Sequence, residues 1–314
     1  HWWCKETRIA SLAPSVRSHF GSSGLLVHFV PTSTMSSPPQ VAYMESATTP
    51  RGLEQQTALV TGGNRGIGLQ VVKSILEEKA DHFVFLGCRD IEQGLALAKT
   101  LSETYGERVE AVQLDVTDAE SIAKAADTIK ARRERLDILV NNAGILLEAD
   151  GAQFSLDAVH ETMRVNFEGV VAVTAALLPM LLSSPVGGQV LSTSSGNGTR
   201  AMGLMSEEHR EALMDANLGL PRLQELLGQL VEGLENANNT YHCIPQVGYG
   251  LSKMGVNCLT QILARRHPTL RINACSPGFC NTDMCANYTG QRRPKEPALG
   301  ASVFKKVLFG ELGQ

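Results

Sequence analysis

From Gln55 onward the chain alternates short apolar runs with helix-spaced segments, and that alternation restricts it to very few architectures. Runs at 57–60, 83–86, 109–114, 137–140, 189–193 and 271–275 have the length of buried strands. Between them, 66–79, 91–105, 119–133 and 156–182 read as helices. Ile67, Val71, Ile75 and Leu76 form the apolar stripe of the first, and Asp118 stands where an N-cap of the third belongs. The pattern predicts an α/β fold, a doubly wound, Rossmann-like parallel sheet with right-handed crossovers. Ligands of such sheets lie beyond the carboxyl ends of the strands. Every motif described below falls at one of those ends.

The domain spans 55–314, and 1–54 is set aside as a leader, disordered or targeting. The first residue is His, and 1–50 is rich in Ser, Thr and Pro with few acids and several basic residues. Two readings stay open. The segment is an organelle transit peptide for a plastid or mitochondrion, or it precedes initiation at Met35 or Met44 and the protein is cytoplasmic. The net charge of −4 gives no global pull toward nucleic acid or an anionic membrane. The longest apolar run, 170–182, falls short of the ~20 residues that span a bilayer, so no membrane partner is expected. The seven cysteines are odd in number and form no C-x-x-C pair, which fits reduced thiols in a cytosol-like compartment. Cys275, Cys280 and Cys285 are evenly spaced, but the nearest histidine, His267, lies in another segment, so no metal site is expected.

Thr61-Gly62-Gly63-Asn64-Arg65-Gly66-Ile67-Gly68 follows the first strand and opens a helix. Glycines at 62, 66 and 68 let the backbone turn sharply and approach a pyrophosphate, whose charge meets the helix N-terminus. The next strand ends in Gly87-Cys88-Arg89, where an NAD site usually has an acid. Arg89 and Arg65 instead suit the 2′-phosphate of NADP(H), the alternative being two solvated arginines. Asp115 ends the third strand, where its carboxylate could accept from the adenine amino group or simply close a turn.

Tyr249 and Lys253 are four residues apart and share one face of a helix. A phenol loses its proton near pH ~10. A neighbouring ammonium and a cationic nicotinamide are expected to lower that value, so that the tyrosine exchanges a proton with a carbonyl or alcohol oxygen. Ser194-Ser195 follows a strand, and a hydroxyl there could steady a developing alkoxide. Asn141-Asn142-Ala143-Gly144 ends the fourth strand with compact residues that let a cofactor lie close. Asn166 sits inside a helical stretch, an unfavourable place unless its amide has a task. Pro277-Gly278 follows the last strand, with Thr282 just beyond.

Taken together, Thr61 to Gly68, Asn141 to Gly144, Asn166, Ser195, Tyr249, Lys253 and Pro277-Gly278 resemble the short-chain dehydrogenase/reductase pattern, over about 57–284. The resemblance implies that Ser195 orients the carbonyl, that Tyr249 is the general acid/base, and that Lys253 binds the nicotinamide ribose and tunes Tyr249. It implies that Asn166 holds a water in a proton relay. It also implies cofactor contacts from Gly62, Asn64, Arg65, Gly66, Ile67, Gly68, Arg89, Asp115, Val116, Asn142, Ala143, Gly144, Pro277, Gly278 and Thr282.

The chain departs from the pattern in the distance between Ser195 and Tyr249. Most members place them close together; here a helical insertion, 196–248, intervenes, Leu- and Glu-rich over 207–236. This is similar to the monomeric carbonyl reductases and their plant relatives, the menthone and salutaridine reductases, as are the stretches 273–279 and 282–284. In those relatives the insertion blocks the usual oligomer interface, which implies a monomer. Members usually have a last strand after a helix such as 298–309, and 310–314 is too short to supply one, so truncation is an expectation here. The leading functional expectation is an NADPH-dependent carbonyl reductase acting on aldehydes, quinones or cyclic ketones, with Phe279 and Leu146-Leu147 lining an apolar pocket. The alternatives are an NADP-dependent alcohol dehydrogenase working oxidatively and a non-catalytic NADP(H) sensor.

Overall fold

The computed structural model describes residues 19–21, 24–27, 55–78, 80–148, 154–236, 239–244, 246–285, 288 and 290–310. Two short strands, β1 (His19–Gly21) and β2 (Gly24–Val27), lie in the leader. The parallel strands follow: β3 (Gln56–Thr61), β4 (His82–Cys88), β5 (Val109–Gln113), β6 (Ile138–Asn141), β7 (Gln189–Thr193) and β8 (Arg271–Cys275). Their order, β8-β7-β6-β3-β4-β5, is that of a doubly wound sheet. β3 pairs with β4 on one side and β6 on the other, Val60 standing opposite both Leu86 and Val140. The winding reverses there, so the ends of β3 and β6 open the crevice in which such sheets bind ligands.

Alternation along the strands sends residues to two cores. Ala58, Val60, Leu86 and Val140 pack with Val71 and Ile75 of α1 (Gly66–Glu78), Leu101 of α2 (Ile91–Tyr105) and a C-terminal helix through Phe304. Leu59, Phe85 and Leu139 face the opposite layer, with Ile122 and Ile129 of α3 (Ala119–Arg133). Asp118 caps α3, accepting from the Glu120 amide at 2.9 Å. Under the sheet's amino end, the fully buried Asp137 carboxylate accepts from Thr57 N at 2.7 Å, Arg135 Nη2 at 2.6 Å and Ser184 Oγ at 2.6 Å. A buried charge persists only with such a complete set of donors.

The stretch 156–182 is not one uniform helix as expected. α4 (Leu156–Met163) passes through a π-helical turn, Arg164–Glu168, into α5 (Gly169–Leu182), the Gly169 amide reaching back to the Arg164 carbonyl. By length and composition these 27 residues are apolar enough to cross a membrane. In the fold, Val173, Leu177 and Leu181 are buried with Leu139 and Val190 of the sheet.

The insertion forms α6 (Gly196–Leu204), α7 (Glu207–Met214) and α8 (Leu220–Gly233) before α9 (Val247–Arg266). Leu223, Leu226, Leu227 and Leu230 of α8 are buried in one core with Leu251, Met254 and Leu259 of α9. A side chain at Gly255 would come within 2.8 Å of both Leu227 and Phe167, so only glycine lets these elements meet. α10 (Pro297–Phe309) completes the first layer. β2 pairs antiparallel with β8, Leu26 opposite Cys275, and so extends the sheet beyond its parallel part. The rest of the leader, and the expectation attached to 311–314, lie outside the described residues.

Candidate active site

The ends of β3 and β6 are stitched together. Thr61 Oγ1 accepts from the amides of Asn142 and Ala143, each at 2.9 Å. Asn142 Nδ2 donates back to the carbonyls of Thr61 at 2.9 Å and Gly62 at 3.1 Å. The Asn142 amide is thus spent on bracing the glycine turn. Gly62 and Gly66 have φ of 62° and 53°, a region costly for other residues. A Cβ at Gly68 would lie 2.2 Å from the Gly62 carbonyl oxygen. The turn is therefore a cradle no side chain can fill, directly before the N-terminus of α1, and it fits a dinucleotide pyrophosphate. Asn64 and Ile67 are half-buried in it.

The residues expected at the adenosine end lie around the next strand ends. Arg89 is exposed beyond β4. Burial opposes ionisation of Asp115, but bonds from Thr117 and the Arg89 and Arg164 guanidiniums outweigh it, holding the carboxyl below its ordinary range. Asp115 Oδ1 is engaged by its own turn, accepting from Thr117 N at 2.9 Å and Oγ1 at 2.7 Å. Val116 is buried against Gly169. Arg65 Nη1 pairs with Asp283 Oδ2 at 2.9 Å, both side chains being largely exposed. The segment after β8 therefore leans on the glycine turn, and a Cβ at Gly66 would meet Thr282 Cγ2 at 3.2 Å. Gly278 takes φ 75° at the start of that segment. The Phe279 ring packs edge-on against Tyr288 at 4.6 Å, with the Arg292 guanidinium 5.6 Å from its centre.

The fold gathers the four polar residues expected at the reaction centre. Ser195 caps α6 at the end of β7, its Oγ accepting from Asn197 N at 3.2 Å and bonding the Tyr249 phenol. Tyr249 and Lys253 share the first turns of α9, the Lys253 Nζ lying 5.6 Å from the Tyr249 ring centre. Lys253 Nζ donates to the Thr193 carbonyl at 2.8 Å. Burial holds the ammonium down to about 8. Burial also pushes the Tyr249 phenol above its ordinary range, with the Ser195 bond pulling the other way. In the chain alone the phenol is thus harder to ionise; the lowering expected in the complex involves a cationic nicotinamide as well as the lysine.

Asn166 sits on the π-helical turn. Its Oδ1 accepts from the Ile145 amide at 2.8 Å, and its Nδ2 donates to the Ile145 carbonyl at 2.8 Å and to Ser252 Oγ at 3.2 Å. The task of its amide is to clamp the backbone after Gly144. A Cβ at Gly144 would crowd that clamp, standing 3.1 Å from Asn166 Oδ1. The reading of the residues missed Glu148, whose carboxylate accepts from Gly248 N at 3.0 Å and Tyr249 N at 2.8 Å. Its only local signal was a lone acid closing the apolar run Ile145-Leu146-Leu147.

The family model described as short chain dehydrogenase matches residues 56–207. Carbonyl reductase (NADPH) 1 of Sus scrofa is 34% identical over 255 residues, covering 79% of this chain and 85% of the relative. The Homo sapiens carbonyl reductase (NADPH) 1 is 34% identical over 253 residues, covering 78% and 88%. Among solved structures, salutaridine reductase from Papaver somniferum superposes with a TM-score of 0.70 at 27% identity, covering 82% of this chain and 97% of that one. Menthone neomenthol reductase from Mentha piperita superposes with a TM-score of 0.62 at 26% identity, covering 77% and 97%.

Proposed function

The chain belongs to the short-chain dehydrogenase family, and on that premise we propose that it is an NADPH-dependent carbonyl reductase with Tyr249 as general acid. The observation that carries the reading is the convergence of Ser195, Tyr249 and Lys253 at the end of β7, beside a glycine cradle at the end of β3.

Gly62, Asn64, Arg65, Gly66, Ile67 and Gly68 would hold the pyrophosphate, with Arg65 and Arg89 on the 2′-phosphate and Asp115 and Val116 at the adenine. Asn142, Ala143, Gly144, Pro277, Gly278 and Thr282 would flank the nicotinamide end. Bound NADPH supplies a hydride for the carbonyl carbon. Tyr249 gives its phenolic proton to the carbonyl oxygen as negative charge develops there. The same phenol would accept a proton from an alcohol in the reverse direction, so reduction is assigned from the likeness to carbonyl reductases. The Ser195 hydroxyl orients the same oxygen and stabilises it by hydrogen bonding. Lys253 would hold the nicotinamide ribose, and its ammonium stabilises the negative charge that develops on Tyr249 as the proton leaves. The clamp of Asn166 on Ile145 fixes the floor of the pocket, and a water relayed past Asn166 would restore the proton.

The apolar rings and chains of Phe279, Leu146 and Leu147 suit aldehydes, quinones and cyclic ketones. α8 covers one face of α9, which supports a monomer, and the thiols are consistent with a reducing compartment such as the cytoplasm. The test is consumption of NADPH, with NADH in parallel, against a panel of those three substrate classes. Turnover with NADPH well above that with NADH supports the reading; no turnover with any of them overturns it.

A further inference from the structure

α9 carries Tyr249 in its first turn, so the start of this helix sets where the phenol stands. The first amides of a helix lack intrahelical partners, and a short polar residue at the N-cap usually serves them. Here the N-cap is Gln246, in a left-handed conformation with φ 54°, and its side chain makes no capping bond. It accepts from Asn197 Nδ2 instead. Intrahelical bonding begins at Gly250, whose amide reaches the Gln246 carbonyl at 2.8 Å. The amides of Gly248 and Tyr249 are taken by Glu148, 100 residues earlier for Gly248 and 101 for Tyr249, one carboxylate oxygen each.

Two further features fit this arrangement. A Cβ at Gly248 would lie 2.9 Å from Val159 Cα and 3.1 Å from Glu148 Oε2, so glycine makes the room the carboxylate uses. Glu148 also ends the segment whose start is the pocket floor. A Cβ at Gly144 would stand 3.1 Å from Asn166 Oδ1 and 3.7 Å from Lys253 Nζ, and Ile145 is clamped in both directions by Asn166. Burial pushes the Glu148 carboxyl above its ordinary range and the two amide bonds pull it back. A carboxylate at a helix N-terminus is favoured by the unpaired amides and the helix dipole, and this one comes from the segment that carries Gly144 and Ile145.

We propose that Glu148 is a positioning residue, which locks the backbone of Tyr249 to the floor of the nicotinamide pocket. It does not touch the reacting atoms; it sets the separation between the phenol and the carbonyl that must receive its proton. This rests on the carbonyl-reductase reading. Misplacement of a catalytic group by ~1 Å costs on the order of 100-fold in rate.

The experiment compares the unaltered chain with Glu148→Gln and Glu148→Ala. Readouts are kcat and KM for a carbonyl substrate, NADPH Kd by fluorescence, and amide exchange at Gly248 and Tyr249. Gln keeps one acceptor oxygen and should lower kcat about 10-fold, and Ala about 100-fold, with NADPH Kd within about twofold and exchange at both amides accelerated. A residue that only caps the helix would accelerate exchange and leave kcat within about twofold, which overturns the proposal. Should the Ala variant fail to fold, the Gln variant decides by the same kcat-against-Kd split. Absence of turnover in the unaltered chain overturns the carbonyl-reductase reading and this inference with it, whereas undiminished turnover in the variants overturns this inference alone.

Discussion

The Lys253 ammonium stands 5.6 Å from the centre of the Tyr249 ring while donating to the Thr193 carbonyl at 2.8 Å. One side chain therefore links the catalytic helix to the carboxyl end of β7, where Ser195 follows. Burial makes the charged lysine costly in the absence of a bound anion or hydroxyl partner, and this has a measurable consequence.

Lys253 is held down to about 8 from an ordinary 10.5. In the window between those values the unfolded chain binds more protons at this site than the folded one, so stability rises with pH. The cost is fully present below about 8 and disappears as pH climbs toward 10.5. The slope reaches at most ~1.4 kcal/mol per pH unit. Denaturant unfolding of the cofactor-free protein between those limits should show the rise, and Lys253→Met should lack it. Parallel stability curves for the two proteins would contradict a buried ammonium.

Arg65 is paired with Asp283 across the mouth of the cradle, although both are largely exposed. A 2′-phosphate must compete with that carboxylate for the guanidinium. Arg65→Ala should raise KM for NADPH about 10-fold, since hydrogen bonds to charged groups are worth ~1.5–3 kcal/mol before screening, and leave NADH nearly unchanged. Asp283→Ala should tighten NADPH a few-fold, in keeping with the ~1 kcal/mol ceiling of exposed pairs. Steady-state kinetics with both cofactors checks the two together; equal losses for NADPH and NADH in the Arg65 variant would remove it from the 2′-phosphate.

Leu227 is buried between α8 and α9 and faces Gly255. Leu227→Ala should cost ~2–5 kcal/mol, by lost transfer free energy and a residual cavity. Urea titration reads this directly. A loss under ~1 kcal/mol would mean that the insertion is not packed as described.

The strands and most helices were legible because their information is local. α2 and α3 fall where their apolar spacing and the Asp118 cap predict, and β3, the glycine turn and α1 follow one another as expected. Ser195, Tyr249 and Lys253 were likewise identified by residue type at strand ends and on one helix face. What stayed illegible depends on partners far along the chain. The amide of Asn166 was flagged as needing a task, but Ile145, 21 residues away, is visible only in three dimensions. The same holds for Glu148 at the start of α9, for Arg65 with Asp283, and for β2 beside β8. The raised Tyr249 of the chain alone was not legible either, because desolvation requires the packed fold.

The most direct test of the account is Tyr249→Phe, which removes one oxygen and keeps the ring. NADPH-dependent turnover should fall by ~100- to 10,000-fold, the range of general acid catalysis, while NADPH binding stays near that of the unaltered chain. Turnover that persists at the original rate, with the fold and NADPH binding intact, would contradict Tyr249 as the proton donor.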